Sequence, residues 1–183
     1  MDKKQFRKEY SVRRNALTSY EIEYKSALIA KSLFTTPEYL SSEKIFVYMS
    51  FGSEVHTAPI ISDAFARSKR VMLPVISGQS MDFYEIFSFE HLTKNSFGIY
   101  EPKPDDLRHC ESDEKTLVIV PGLIFSHERH RIGYGRGYYD RYLCARKSLC
   151  NAGLSFGVQI ADFPAEIHDI ALDIVIVENE IIR

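Results

Sequence analysis

The sequence lacks the features that would take it out of ordinary globular chemistry. It carries no surplus of basic charge: 23 Lys and Arg stand against 25 Asp and Glu, a formal charge of −2 at pH 7. A bulk positive field able to hold nucleic acid is therefore missing, and only a local basic patch remains open. No apolar run approaches the roughly 20 residues that cross a bilayer. The start, Met1-Asp2-Lys3-Lys4-Gln5-Phe6-Arg7, has no hydrophobic core of a signal peptide, so a cytoplasmic protein is expected. Cysteine is scarce. Cys110, Cys144 and Cys150 cannot all pair with one another and fit no zinc spacing, which points to reduced thiols. Repeats and low-complexity stretches are not apparent.

What is present is the material of one domain spanning residues 1–183, 45% hydrophobic and 26% charged. Lys3 to about Asn15 reads as a basic helix. Thr18-Ser19-Tyr20-Glu21 is a capping box for the next helix, on which Ile22, Ser26, Ile29 and Leu33 share one face. Thr35-Thr36-Pro37 ends or interrupts it. Short apolar runs at 45–49, 71–75, 117–121, 154–158 and 173–177 read as buried strands. The alternation at 81–86 reads as a strand with one wet face. Thr57 and Pro59 mark a helix start, with Ile61, Ala64 and Phe65 facing inward. Residues 95–106 and 122–137 read as loops, and Tyr138 to about Leu149 as a helix. Strands alternating with helices give an α/β class with a mainly parallel sheet, whose ligands sit beyond the carboxyl ends of the strands.

The strongest chemical feature is Arg131-Ile132-Gly133-Tyr134-Gly135-Arg136-Gly137-Tyr138-Tyr139-Asp140, between a strand and a helix. Glycines at alternate positions let amides approach an anion, the helix N-terminus adds partial positive charge, and Arg131 and Arg136 add full charges. The result is a phosphate cradle that follows neither the P-loop nor the dinucleotide pattern. A flexible Gly/Tyr loop or an RNA-contacting Arg-Gly segment are the alternatives. Asp140 suits the helix macrodipole, and equally a magnesium ion shared with phosphates. For a second carboxylate, spacing does not choose between Asp173 and Asp169.

Lys3, Arg7, Tyr10 and Arg14 share a helix face that either is solvated or reaches over the phosphates. In the loop Ser50–Thr57, Glu54 either accepts from the polar edge of a ring or is an ordinary acid before a helix. His56 beside it reads as surface decoration. Met49, Tyr84 and Phe97 either stack on a flat heterocycle or belong to the core.

Taken in order, Lys3…Arg7, Tyr48-Met49-Ser50…Glu54-Val55-His56-Thr57, Pro121-Gly122-Leu123-Ile124-Phe125, the 131–141 block and His168-Asp169-Ile170-Ala171-Leu172-Asp173 resemble the 5-formyltetrahydrofolate cyclo-ligase family. The resemblance spans nearly the whole chain, and the glycine-tyrosine block is its most specific part. It implies a three-layer α/β/α fold of the NagB/ribose-phosphate-isomerase-like type, ATP and Mg²⁺ as cofactors, and a monomer acting on 5-formyltetrahydrofolate. Carried over by position, Lys3, Lys4, Gln5, Phe6, Arg7 and Arg131 to Tyr139 would bind ATP. Asp140 and Asp173 would hold magnesium. Met49, Glu54, Phe97 and Tyr134 to Tyr138 would meet the folate, with Arg136 and Tyr138 catalytic. Two positions depart from the family pattern: His56 stands where an acid is usual, and Arg136 where Gly or Lys is common. A sugar-phosphate isomerase or deaminase on the same kind of fold, and an RNA-binding module, are the rival readings.

Overall fold

The computed structural model describes residues 2–96, 98–103, 108–148, 150–166 and 169–183. Helix α1, Lys3–Asn15, starts at a capping box between Asp2 and Gln5. Helix α2, Ser19–Phe34, starts at the expected box between Thr18 and Glu21, and its buried face includes Ile22, Ser26, Ile29 and Leu33. In each box the cap oxygen takes an orphan amide of the first turn, which fixes where the helix begins. Pro37 then opens a separate short helix, α3 (Pro37–Ser41), with Thr36 as its cap.

Strands β1 (Lys44–Phe46), β2 (Arg70–Ser77) and β3 (Ser80–Ile86) follow, with helix α4 (Ala58–Ala66) between the first two. Strands β6 (Thr116–Val120), β9 (Cys150–Leu154), β10 (Ile174–Ile176) and β11 (Ile181–Ile182) complete a seven-stranded sheet in the order β11-β10-β9-β6-β1-β2-β3. The five inner strands run parallel, and both edge strands pair antiparallel.

The period of two along each inner strand divides the core. Ile45, Val47, Val71, Leu73, Leu117 and Ile119 pack toward α2, α3 and α4. Phe46, Met72, Val118, Val120, Val175 and Val177 pack toward Tyr142 and Leu143 of helix α5, Tyr138–Ala145. Helices thus cover both faces, as a parallel sheet requires.

Several expected boundaries move. The run at 45–49 keeps its strand only to Phe46, after which Val47 still donates to the Met72 carbonyl. The strand expected at 154–158 lies instead at Cys150–Leu154, and Gly157–Gln159 forms a 3-10 turn. The reason is packing: Gly153 admits the Phe125 ring, whose Cε1 lies 2.6 Å from where a Cβ would stand. Within 95–106, β5 (Tyr100–Pro102) pairs with β4 (Leu92–Lys94). Within 122–137, β7 (Ile124–Phe125) pairs with β8 (Arg131–Ile132). Helix α5 stops at Ala145, short of the expected end.

Candidate functional site

The loop leaving β1 is closed by its own hydroxyls. Thr57 donates to the Tyr48 carbonyl at 2.7 Å and accepts from the Ser50 amide at 3.0 Å, while the Thr57 amide donates to Ser50 Oγ at 3.2 Å. This clasp presents Glu54 from a fixed turn. Its Oε2 accepts from the Phe51 amide at 2.9 Å, and Oε1 accepts from the Tyr134 hydroxyl. Burial holds the Glu54 carboxyl above its ordinary pKa, although both of those donors and the charge of Arg14 pull the other way. Met49 is half-buried and packs against the α2–α4 side of the core. His56 donates its amide to Ser26. Phe97 lies outside the described residues.

Facing this loop is the glycine segment between β8 and α5. Gly135 and Gly137 have φ of +92° and +65°, a region costly for any residue with a Cβ. Gly137 is the N-cap of α5, and among the described residues no side chain caps the helix. Its first-turn amides are therefore available to an anion. Arg136 is exposed at the tip, and its carbonyl accepts from Arg141 at 3.0 Å. The Tyr138 hydroxyl donates to Gly78 O and Arg141 donates to Gln79 O, each at 3.0 Å, so the β2–β3 turn braces the segment. Tyr139 has its hydroxyl buried without a partner among the described residues. Burial, then the Glu54 charge, push its pKa up, so it stays a proton donor.

Helix α1 lies over the segment. Arg7 Nε donates to Gly133 O at 2.8 Å, and its Cζ is 3.4 Å from where a Gly135 Cβ would stand. Lys3 pairs with Asp169 at 2.9 Å and Glu166 at 3.0 Å, and these hydrogen bonds and charges raise its pKa against the opposing effect of burial. Phe6 and Ile132 pack with Tyr10, Leu123, Ile124 and Phe163. A cleft of about 220 Å³ runs between Lys3, Phe6, Ile132, Phe163 and Pro164. Gln5 forms the capping box with Asp2, and Lys4 is exposed in the same first turn of α1.

Arg131 is placed differently from an open phosphate ligand. Its side chain is 3% exposed and its Nη2 pairs with Asp140 Oδ1 at 2.8 Å, while Nη1 donates to Ile170 O at 3.1 Å. Burial lowers its pKa, against the charge of Asp140. It supports the segment from beneath. Asp140 itself is partly exposed, and among the described residues its carboxylate is engaged only through Oδ1. Asp173 precedes β10, where its Oδ2 accepts from the Asn151 amide at 2.7 Å. No described contact joins it to Asp140. The charge of Asp169, by contrast, acts on Arg131. No group of three His, Cys, Asp or Glu able to hold a metal occurs among the described residues. A cation here would need oxygens from a ligand as well.

Sequence reasoning did not foresee that Arg14 is buried, with Nε donating to Ser53 Oγ and Nη1 to the Tyr134 hydroxyl, both at 3.0 Å. Its only signal was helical phase with Lys3 and Arg7.

Fold and site together define a parallel α/β protein with an anion-receptive helix start set against a half-buried acid at the carboxyl end of the sheet. The model of the 5-formyltetrahydrofolate cyclo-ligase family matches residues 1–178, and the chain belongs to that family. A Mus musculus 5-formyltetrahydrofolate cyclo-ligase is 32% identical over 190 residues, covering 97% of this chain and 94% of the relative. A 5-formyltetrahydrofolate cyclo-ligase of Escherichia coli strain K12 is 28% identical, covering 92% and 96%. The solved Aquifex aeolicus 5,10-methenyltetrahydrofolate synthetase superposes with a TM-score of 0.88 at 29% identity, covering all of this chain and 93% of that one.

Proposed function

We propose that the chain, as a single domain, is an ATP- and Mg²⁺-dependent enzyme that converts 5-formyltetrahydrofolate to 5,10-methenyltetrahydrofolate, releasing ADP and phosphate. The observation that carries this reading is the meeting of two half-sites. Arg7 bonds the glycine segment that leads into the uncapped start of α5, and Tyr134 of that segment donates to Glu54 on the loop leaving β1. The triphosphate would lie along 133–139, with Arg136 at its exposed edge and the base toward the Lys3–Phe163 cleft. The folate would lie between Met49, Glu54 and the glycine segment, with Tyr138 beside the reacting centre. The NagB/ribose-phosphate-isomerase-like class of fold, a monomer and a cytoplasmic setting are parts of the same reading; three free cysteines accord with the last.

The chemistry asks mainly for positioning and charge neutralisation. The formyl oxygen on N5 attacks the γ-phosphorus and ADP leaves, giving an imidoyl phosphate. N10 then bonds to the formyl carbon and loses its proton, and phosphate departs with the former formyl oxygen. Helix amides and Arg7 neutralise the phosphoryl oxygens, and Glu54 holds the folate by accepting its N–H groups. Asp140 would hold magnesium, which would supply neutralising charge to the phosphates. Asp173 is the second carboxylate that the family resemblance assigns.

The test is an absorbance assay for methenyl-folate with 5-formyltetrahydrofolate and Mg²⁺, with and without ATP. Product is expected only with ATP, with one ADP per product. Phosphate-sugar turnover without ADP release would overturn the reading. Asp140→Ala is expected to lower turnover at least about a hundredfold, from the loss of charge stabilisation at the phosphoryl centre.

A further inference from the structure

We infer that Arg14 is a positioning residue for the folate side of the site, acting through Tyr134 to keep Glu54 an oriented acceptor. The inference rests on the folate reading above.

Arg14 lies in the last turn of α1 and is 7% exposed. Its fork spans two loops far apart in sequence: Nε donates to Ser53 Oγ and Nη1 to Tyr134 Oη, each at 3.0 Å. Ser53 Oγ in turn donates to Asn15 Oδ1, which ties that loop to the end of α1. A phenol has one proton to give. Because Arg14 already donates to the Tyr134 oxygen, that proton is directed to Glu54 Oε1. Phe51 fills Oε2 from the other side. Both carboxylate oxygens therefore receive donors, and the remaining lone pairs are aimed by the network. The guanidinium also lies 5.9 Å from the Tyr134 ring centroid, which limits rotation of a ring whose residue is 52% exposed. Arg14 is a full charge beside a half-buried acid, so it also offsets the cost of keeping that acid ionised. A solely structural role would need none of this directionality, since a hydrocarbon chain of similar volume could fill the same space.

Arg14 acts on the acid through the phenol and through its charge, so its loss should be felt at folate binding and should depend on Glu54. Arg14→Leu, Arg14→Lys, Glu54→Gln and the Arg14→Leu/Glu54→Gln double variant would be compared in the methenyl-folate assay, with thermal melts as the check on folding. Arg14→Leu is expected to raise the folate KM about tenfold or more, the scale of a lost charge-assisted hydrogen bond. The ATP KM should move less than about twofold. Arg14→Lys keeps a buried cation but not the fork, and should fall between wild type and Leu. It also gives a readable variant if the leucine protein does not fold. In the Glu54→Gln background, Arg14→Leu should add little. Equal rises in both KM values, or full additivity with Glu54→Gln, would overturn the inference. If wild type itself yields no methenyl product, the folate reading fails first, and the two failures are thereby distinguished.

Discussion

The guanidinium of Arg131 and the carboxyl of Glu54 are both charges drawn partly out of water, and they meet that cost in different ways. Arg131 is paired with Asp140 and with a backbone carbonyl. Truncating one member of such a pair leaves the other uncompensated. Asp140→Ala strands the Arg131 guanidinium, whose side chain is 3% exposed, and is therefore expected to destabilise the fold by about 3–5 kcal/mol, while Arg131→Ala strands a carboxylate that water reaches and should carry the smaller charge penalty in a denaturant melt. An unchanged denaturant midpoint for Asp140→Ala would contradict this. Glu54 has only neutral direct donors, and burial raises its pKa. The sign follows. As pH falls through the raised value the carboxylate takes a proton and loses acceptor capacity, so folate binding weakens at a pH above that of an ordinary glutamate. For stability the direction reverses, because the fold holds a proton the unfolded chain has already released, and Glu54's contribution declines as pH rises through that range. A folate KM profile against pH should show this acid limb above the ordinary glutamate range in wild type and not in Glu54→Gln.

At the scale of elements, what the sequence told well was local. The capping box at Thr18 acts within four residues, so the start of α2 fell where the residues say, and α1 matched its basic stretch, with a further box at Asp2 that was not read along the chain. The buried runs at β1, β2 and β6 were legible from β-branched and apolar content. Strand β9 was not, because Cys150-Asn151-Ala152-Gly153-Leu154 is poor in strand formers; its identity comes from tertiary contact. A Cβ on Gly122 or Gly153 would meet the Phe125 ring at 2.6 Å. Both glycines are there for that ring, which a reading along the chain does not reveal. Gly153→Ala should then destabilise by about 1–3 kcal/mol through overpacking, read as a lower melting temperature. A neutral effect would mean that Phe125 moves freely. The paired segments β4–β5 and β7–β8 are two or three residues per strand, too short for a periodic signal.

Across the whole molecule, the site is assembled from three stretches, near residues 3–14, 48–57 and 131–140. The bond from Arg7 to Gly133 spans 126 residues and that from Arg14 to Tyr134 spans 120. Glycines, arginines and the acid could be picked out one by one from the sequence, since each has a chemistry of its own. Their facing was not legible: that Arg131 points inward and that Arg14 joins two loops depend on how α1 lies across the carboxyl end of the sheet. The most direct test of this arrangement is a crystal structure with Mg²⁺ and a non-hydrolysable ATP analogue. The terminal phosphates are expected against the amides opening α5, beneath Arg7 and beside Asp140. A nucleotide bound elsewhere, with that turn empty, would contradict the account.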